Sequence, residues 1–209
     1  MKTAIQSCSV TLRDLLRQAL ITDPDLDVFF DPGQGGVMTV SLLTPQELVE
    51  RNSEGVSLWL YRLQRDEQTL NLPPRRVASD RLEQPPLPLR LHYLVAPIVS
   101  HDTRPQAPEL EQHILGKVLQ VFNDLGSLRG STLLGDLAGH PLEIFVRLEL
   151  LSLEEITRVW DALDLSYQLC ISYEVSVIPI ASGRSAREER PVDSVITEHG
   201  VMDMSETAS

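Results

Sequence analysis

The chain has 209 residues, 42% of them hydrophobic and 23% charged, the ordinary usage of a chain that can bury one sizeable core. Its net charge of -12 excludes a surface built to neutralise phosphates, so no nucleic-acid partner is expected. No apolar run approaches the ~20 residues of a membrane helix, and two cysteines, Cys8 and Cys170, are too few and too far apart for a disulfide framework or a zinc cluster.

The opening residues "MKTAIQSCSVTLRDLL" hold no uninterrupted apolar stretch, so no signal peptide is read and cytoplasmic synthesis is expected. Within "SVTLRDLLRQAL", Leu12, Leu15, Leu16 and Ala19 repeat at helical spacing, with Ser9 or Thr11 as the expected N-cap. "DPDLDVFFDP" reads as a short apolar strand between Asp-Pro turns, and "GQGG" (Gly33 to Gly36) as a flexible turn. "VMTVSLLTPQELVERN" gives a strand and then a helix, with Thr44 as cap and Pro45 at the first helical position, where its missing N–H costs nothing. "VSLWLYRL" (Val56 to Leu63) is apolar on both faces and reads as a buried strand.

Residues 71–88, "NLPPRRVASDRLEQPPLP", are rich in proline and lack a sustained period, which predicts an exposed connector or extended arm. The strand "LRLHYLV" follows and is expected to break at Pro97. "PELEQHILGKVLQVFNDLG" is the longest helix, with Leu110, Ile114, Val118, Val121, Phe122 and Leu125 on one face and Gly126 as its stop. Residues 127–141 read as a glycine-rich loop, and "LEIFVRLELL" as a strand. "SLEEITRVWDALD" carries a capping box, Ser152 with Glu155, ahead of a stripe of Ile156, Val159, Trp160 and Leu163. "YQLCISYEVSVIPI" is the last strand, with Leu169, Ile171, Tyr173, Val175 and Val177 expected on one face.

Strands and helices do not alternate strictly, and no internal repeat is present. The fold class is therefore α+β, with helices packed on a mixed, largely antiparallel sheet. The domain spans residues 1–181, and the polar, acidic residues 182–209 form a tail, flexible or bound to a partner. Within the tail, "VDSVIT" alternates apolar and polar residues, as a strand adding to another protein's sheet edge would. Val192, Val195 and Ile196 are the candidate partner contacts.

No arrangement of residues points to catalysis. His92 is expected to be a partly exposed strand histidine with an ordinary hydrogen bond. His101-Asp102 could serve a metal-dependent hydrolase, but that chemistry needs further ligands, and the nearest candidates are His113 and Asp124. "GQGG" lacks the strand and helix context of a phosphate loop, no serine lies in a G-x-S-x-G elbow, and neither cysteine has the basic surroundings of a reactive thiolate. The pair Glu154-Glu155 belongs to a helix first turn, where the dipole favours acids. Trp59, Tyr61 and Trp160 read as core or subunit contacts. No catalytic residue, metal or cofactor is expected.

Three stretches carry a family likeness: the "LRLHYLVAP" strand with its upstream prolines, the "LGKVLQ" helix, and the "WDAL" helix leading into "SYEV". In this order they resemble the tail-terminator, or cap, proteins of extracellular contractile injection systems, the phage-tail-like particles of the antifeeding-prophage type. The likeness runs over about residues 1–180; Val95, Ala96 and Pro97 depart from the small-residue continuation common in that family, and the tail has no counterpart. It implies the α+β fold of phage tail-completion proteins and a structural, non-enzymatic role. A homohexameric ring would end the inner tube and anchor the last sheath ring, and the tail would engage sheath subunits. It implies no cofactor and no membrane insertion, and places the chain in the assembled particle after synthesis. A baseplate or connector component of the same kind of particle is the alternative.

Overall fold

A computed structural model describes residues 1–69, 73–78, 81–102, 104–183 and 187–188. Helix α1 (Ala4–Ile21) buries Cys8, Leu12, Leu16 and Leu20 along one face. It starts before Ser9 and Thr11, which are not caps. Both are buried inside the helix, where their hydroxyls donate to the carbonyls of Ile5 and Ser7 at 3.1 and 2.7 Å. Back-bonding of this kind lets a short polar side chain sit within a helix as well as at its end.

The expected strand in "DPDLDVFFDP" is instead a single helical turn, α2 (Asp27–Phe30), followed by a 3-10 turn over Pro32–Gln34. Here the aspartates decide against extension. Asp23 accepts from the Asp25 amide and Asp31 from the Gly33 amide, local bonds that stabilise turns. The first glycines of "GQGG" thus lie in a turn, as read from the sequence.

The main unit comprises residues 1–72 and 86–181. Its sheet has six strands in the order β1-β2-β5-β8-β7-β6. These are β1 (Thr39–Ser41), β2 (Gly55–Arg65), β5 (Leu87–Ile98), β6 (Ser127–Arg129), β7 (Glu143–Glu149) and β8 (Ile171–Ile180). Only β1 and β2 are parallel, joined through helix α3 (Pro45–Glu50); the other neighbours are antiparallel. The α3 start carries the Thr44 cap and Pro45 as expected, with Glu47 completing a capping box. Gly55 opens β2 at φ +140, and a Cβ there would lie 2.0 Å from the Thr39 carbonyl oxygen, so the parallel pairing requires glycine.

Three expectations about strands are corrected. Strand β5 does not break at Pro97, which pairs with Val56 of β2. Pairing with β8 has already ended at Val95, so the side of Pro97 facing away from β2 is an edge, where a missing N–H is tolerated. The face expected for β8 changes along its length: Tyr173 and Val175 are buried on the α1 side, and Ile178 follows instead of Val177 after a register shift. Strand β2 is buried only in its first half, and Leu63 is exposed. The glycine-rich segment after Gly126 also holds more order than read, namely β6 and two 3-10 turns that bury Leu133 and Leu137.

One sheet face is covered by α1 and by α4 (Ala107–Leu125), whose Leu110, Ile114, Val118 and Phe122 meet Leu91, Tyr93, Tyr173 and Val175 in the larger core. Gly126, at φ +56, ends α4 as expected. The Phe122 and Tyr173 rings meet edge to face at 4.8 Å. On the opposite face lies α5 (Leu153–Asp161), started by the Ser152–Glu155 capping box. Its Trp160 is fully buried with Leu94, Ala96, Leu163 and Cys170 in a second, smaller cluster, against which Trp59 and Tyr61 pack. Cys8 and Cys170 are thus buried in separate clusters and both free.

The second unit takes residues 73–85 and those from 182 onward. Strand β3 (Arg75–Ala78) pairs antiparallel with β4 (Arg81–Glu83), and β9 (Arg187–Glu188) adds antiparallel to β4. The segment expected to be an exposed connector or extended arm therefore contains two paired strands. Val192, Val195 and Ile196 lie outside the described residues.

Ile114 is fully buried at the centre of the larger core. Ile114→Ala should cost about 2–5 kcal/mol of unfolding free energy, measured as a lower urea midpoint at unchanged slope.

Candidate functional site

The α5 face of the sheet is only partly covered, and what lies beyond the helix is polar. Strand alternation brings Arg90 and His92 of β5, Ser172 and Glu174 of β8, and Phe145, Arg147 and Glu149 of β7 to this face. Such a surface can be buried only if its polar groups bind one another.

They do so in two groups. In the first, Glu149 is the hub. Its carboxylate accepts from Ser172 Oγ at 2.8 Å, from Tyr61 OH at 3.2 Å and from His92 Nδ1 at 3.0 Å. Burial raises the Glu149 carboxyl, but the bonds from Ser172, His92 and Tyr61 together outweigh it and hold the group below the usual glutamate range. In the second, Arg90 bridges Asp66 at 2.6 Å and Glu174 at 3.1 Å. The Thr69 hydroxyl and then Arg90 hold Asp66 low against the effect of burial.

His92 departs from its sequence reading. It is only 2% exposed, and its Nε2 is buried with no hydrogen-bond partner among the described residues. A serine, a histidine and a carboxylate thus stand together without forming a nucleophilic relay. Ser172 Oγ donates to the carboxylate and not to the imidazole, and Ser172 is itself 2% exposed. With Tyr61 of β2, His92 of β5, Glu149 of β7 and Ser172 of β8, the arrangement locks four strands to one another. Sequence reasoning missed it because the bond from His92 to Glu149 spans 57 positions.

The other candidates are dispersed. His101 is exposed and its Nε2 meets Glu111 at 3.0 Å, in the loop ahead of α4. His113 lies instead with Asp23 and Asp25, and among the described residues that trio is the one grouping with ligand atoms within 4.8 Å of one another. Asp23 is already paired with Lys117 at 2.9 Å. His101 and Asp102 are therefore not joined by His113 or Asp124. Burial drives the Cys8 thiol up to about 12, and raises Cys170, whose Sγ accepts from the Trp160 indole at 3.3 Å. Neither is a poised thiolate. Among the described residues no helix is long and apolar enough to cross a membrane.

The geometry presents a braced sheet with an incompletely covered face. The chain matches the Pvc16 N-terminal domain over residues 8–194. It belongs to that family. Two solved structures share the fold of this Pvc16 N-terminal domain. The sheath/tube terminator of PVC, an extracellular contractile injection system, in its extended state aligns with a TM-score of 0.62 at 18% identity, covering 96% of this chain and 64% of that one. The tube-terminating cap of the anti-feeding prophage aligns with a TM-score of 0.53 at 18% identity, covering 87% of this chain and 62% of that one. The chain spans less than two thirds of the length of either relative. No curated protein matches it. The three stretches that carry the sequence likeness fall in β5, in α4, and in α5 with β8.

Because Glu149 is held low, its interactions stabilise the fold above the usual glutamate pKa of 4.5 and are lost as pH falls through its lower folded value. Glu149→Gln should therefore have a flatter acid limb of thermal stability below about pH 4.5 than wild type. A melting-temperature series against pH checks this; parallel acid limbs would contradict it.

Proposed function

We propose that this Pvc16 N-terminal domain is the cap of a phage-tail-like contractile injection particle. It forms a closed ring that ends the inner tube and anchors the last sheath ring. The observation that carries the reading is the family match across residues 8–194, supported by terminator-like architecture over 96% of the chain. A terminator must offer one face complementary to the last tube ring and none that accepts a further ring, and closed cyclic symmetry supplies such a body. Six copies match the symmetry that the family likeness implies.

The chain acts by binding and performs no reaction of its own. Its polar network is consumed in bracing strands, which suits a part that carries mechanical load. Tube and sheath proteins and further copies of the chain are its partners in the particle; the main fold ends at residue 181, and Val192, Val195 and Ile196 are the partner-contact residues of the tail. It is made in the cytoplasm and becomes part of an extracellular particle.

Electron microscopy of particles assembled without this protein tests the reading. Tubes of uncontrolled length, or tubes lacking sheath, are expected. Failure to nucleate any tube would assign the chain to the baseplate. His101→Ala should leave particle assembly unchanged, and lost assembly in that variant would contradict a purely structural part.

A further inference from the structure

Strand β7 is longer than the neighbour that covers its outer edge. Strand β6 pairs with it only over Glu143, Ile144 and Phe145, and among the described residues no strand pairs with the outer edge of Val146–Glu149. Beside that edge runs a groove of about 450 Å³, lined by Leu119, Phe122, Val146, Leu148 and Tyr173 together with the amide side chains of Gln120 and Asn123. Of its lining, Leu148 is 50% exposed, and Leu150, 91% exposed, follows directly after the strand. Open backbone beside exposed leucines is costly to leave in water and is the usual acceptor for an added strand.

We infer that this edge accepts residues 192–197 of a neighbouring copy, which would knit the ring by strand exchange. The inference rests on the ring reading above. After Glu188 the chain continues for a further 21 residues, 189–209, beyond the described part. Their "VDSVIT" puts Val192, Ser194 and Ile196 on one side of an extended strand and Asp193, Val195 and Thr197 on the other. The edge offers two matching sides. Val146 and Leu148 face the groove, while Phe145 and Arg147, the latter stacked over the Phe145 ring at 5.2 Å, face the other way. Ile196 and Val192 suit the groove, and Asp193 suits Arg147.

Charge argues the same way. A net charge of -12 sets copies against one another, so contact between them requires local pairs of opposite sign. Arg147, exposed on the open stretch of β7, provides a cation there, and Asp193 of the tail provides an anion. In a closed ring each edge has a neighbour held close by, which raises the effective concentration of that neighbour's tail.

Amide hydrogen exchange on the full-length chain tests this. In assembled wild type, the amides of Val146–Glu149 should exchange about tenfold more slowly than in Ile196→Glu. Leu148→Glu should lose the same protection, and Leu150→Glu serves if Leu148→Glu does not fold. When Ile196→Glu and Leu148→Glu chains are mixed, the intact edge of one meets the intact tail of the other, and part of the protection should return. A mixture that restores nothing overturns exchange between copies. Equal exchange in wild type and Ile196→Glu, with rings still present by mass, overturns the inference and leaves the cap reading standing. Wild-type chains that remain single by mass overturn both. Protection that appears only after sheath protein is added gives the edge to the sheath and overturns the second-copy occupant.

Discussion

Strands β5 and β8 run side by side through the middle of the six-stranded sheet, and their alternate side chains must satisfy two unlike environments at once. Toward α1 and α4 they present Leu91, Tyr93, Tyr173 and Val175, which are buried in the larger core. Toward α5 they present Leu94 at one end, then His92, Arg90, Ser172 and Glu174. The helix on that side is short, and one turn of cover around Trp160 cannot dry the whole face. The polar remainder is stable because Glu149 and Asp66 supply carboxylates to Ser172, Tyr61, His92 and Arg90. That requirement ties β2, β5, β7 and β8 to one another by side chains as well as by backbone.

This bracing suits the mechanical role proposed for the chain. Side chains that would be candidates for chemistry are spent on one another. Tyr93 shows the same economy on the other face: its hydroxyl meets Ser9 of α1 at 2.8 Å, and burial raises its pKa strongly. A load transmitted along the sheet meets hydrogen-bonded strands backed by helix on one side and by ion pairs on the other. The sheet ends, by contrast, are light. Strands β1 and β6 have three residues each, so the outer edge of β7 is left partly open.

Helices α4 and α5 were legible in the sequence because their signals are local: an apolar stripe from Leu110 to Leu125 ended by Gly126 for one, the Ser152–Glu155 box for the other. Thr44-Pro45 was legible for the same reason. The α+β class and the largely antiparallel sheet followed from the order of these elements. The start of α1 was not legible, since Ser9 and Thr11 serve equally as caps and as back-bonded helix residues, and only packing against Tyr93 decides. Pro97 misled because its tolerance depends on where β8 stops, a fact of register between distant strands. His92 misled for a related reason: its burial depends on Glu149, which no local pattern connects to it. The same non-locality makes the stretch "LRLHYLVAP" a better marker of family than of chemistry.

A cap occupies one particular end of its particle, so position separates the proposed role from a baseplate part. Gold labelling of the chain in intact, extended particles measures position directly. Label confined to the tube end opposite the baseplate is the expected result. Label at the baseplate, or spread along the sheath, would contradict it.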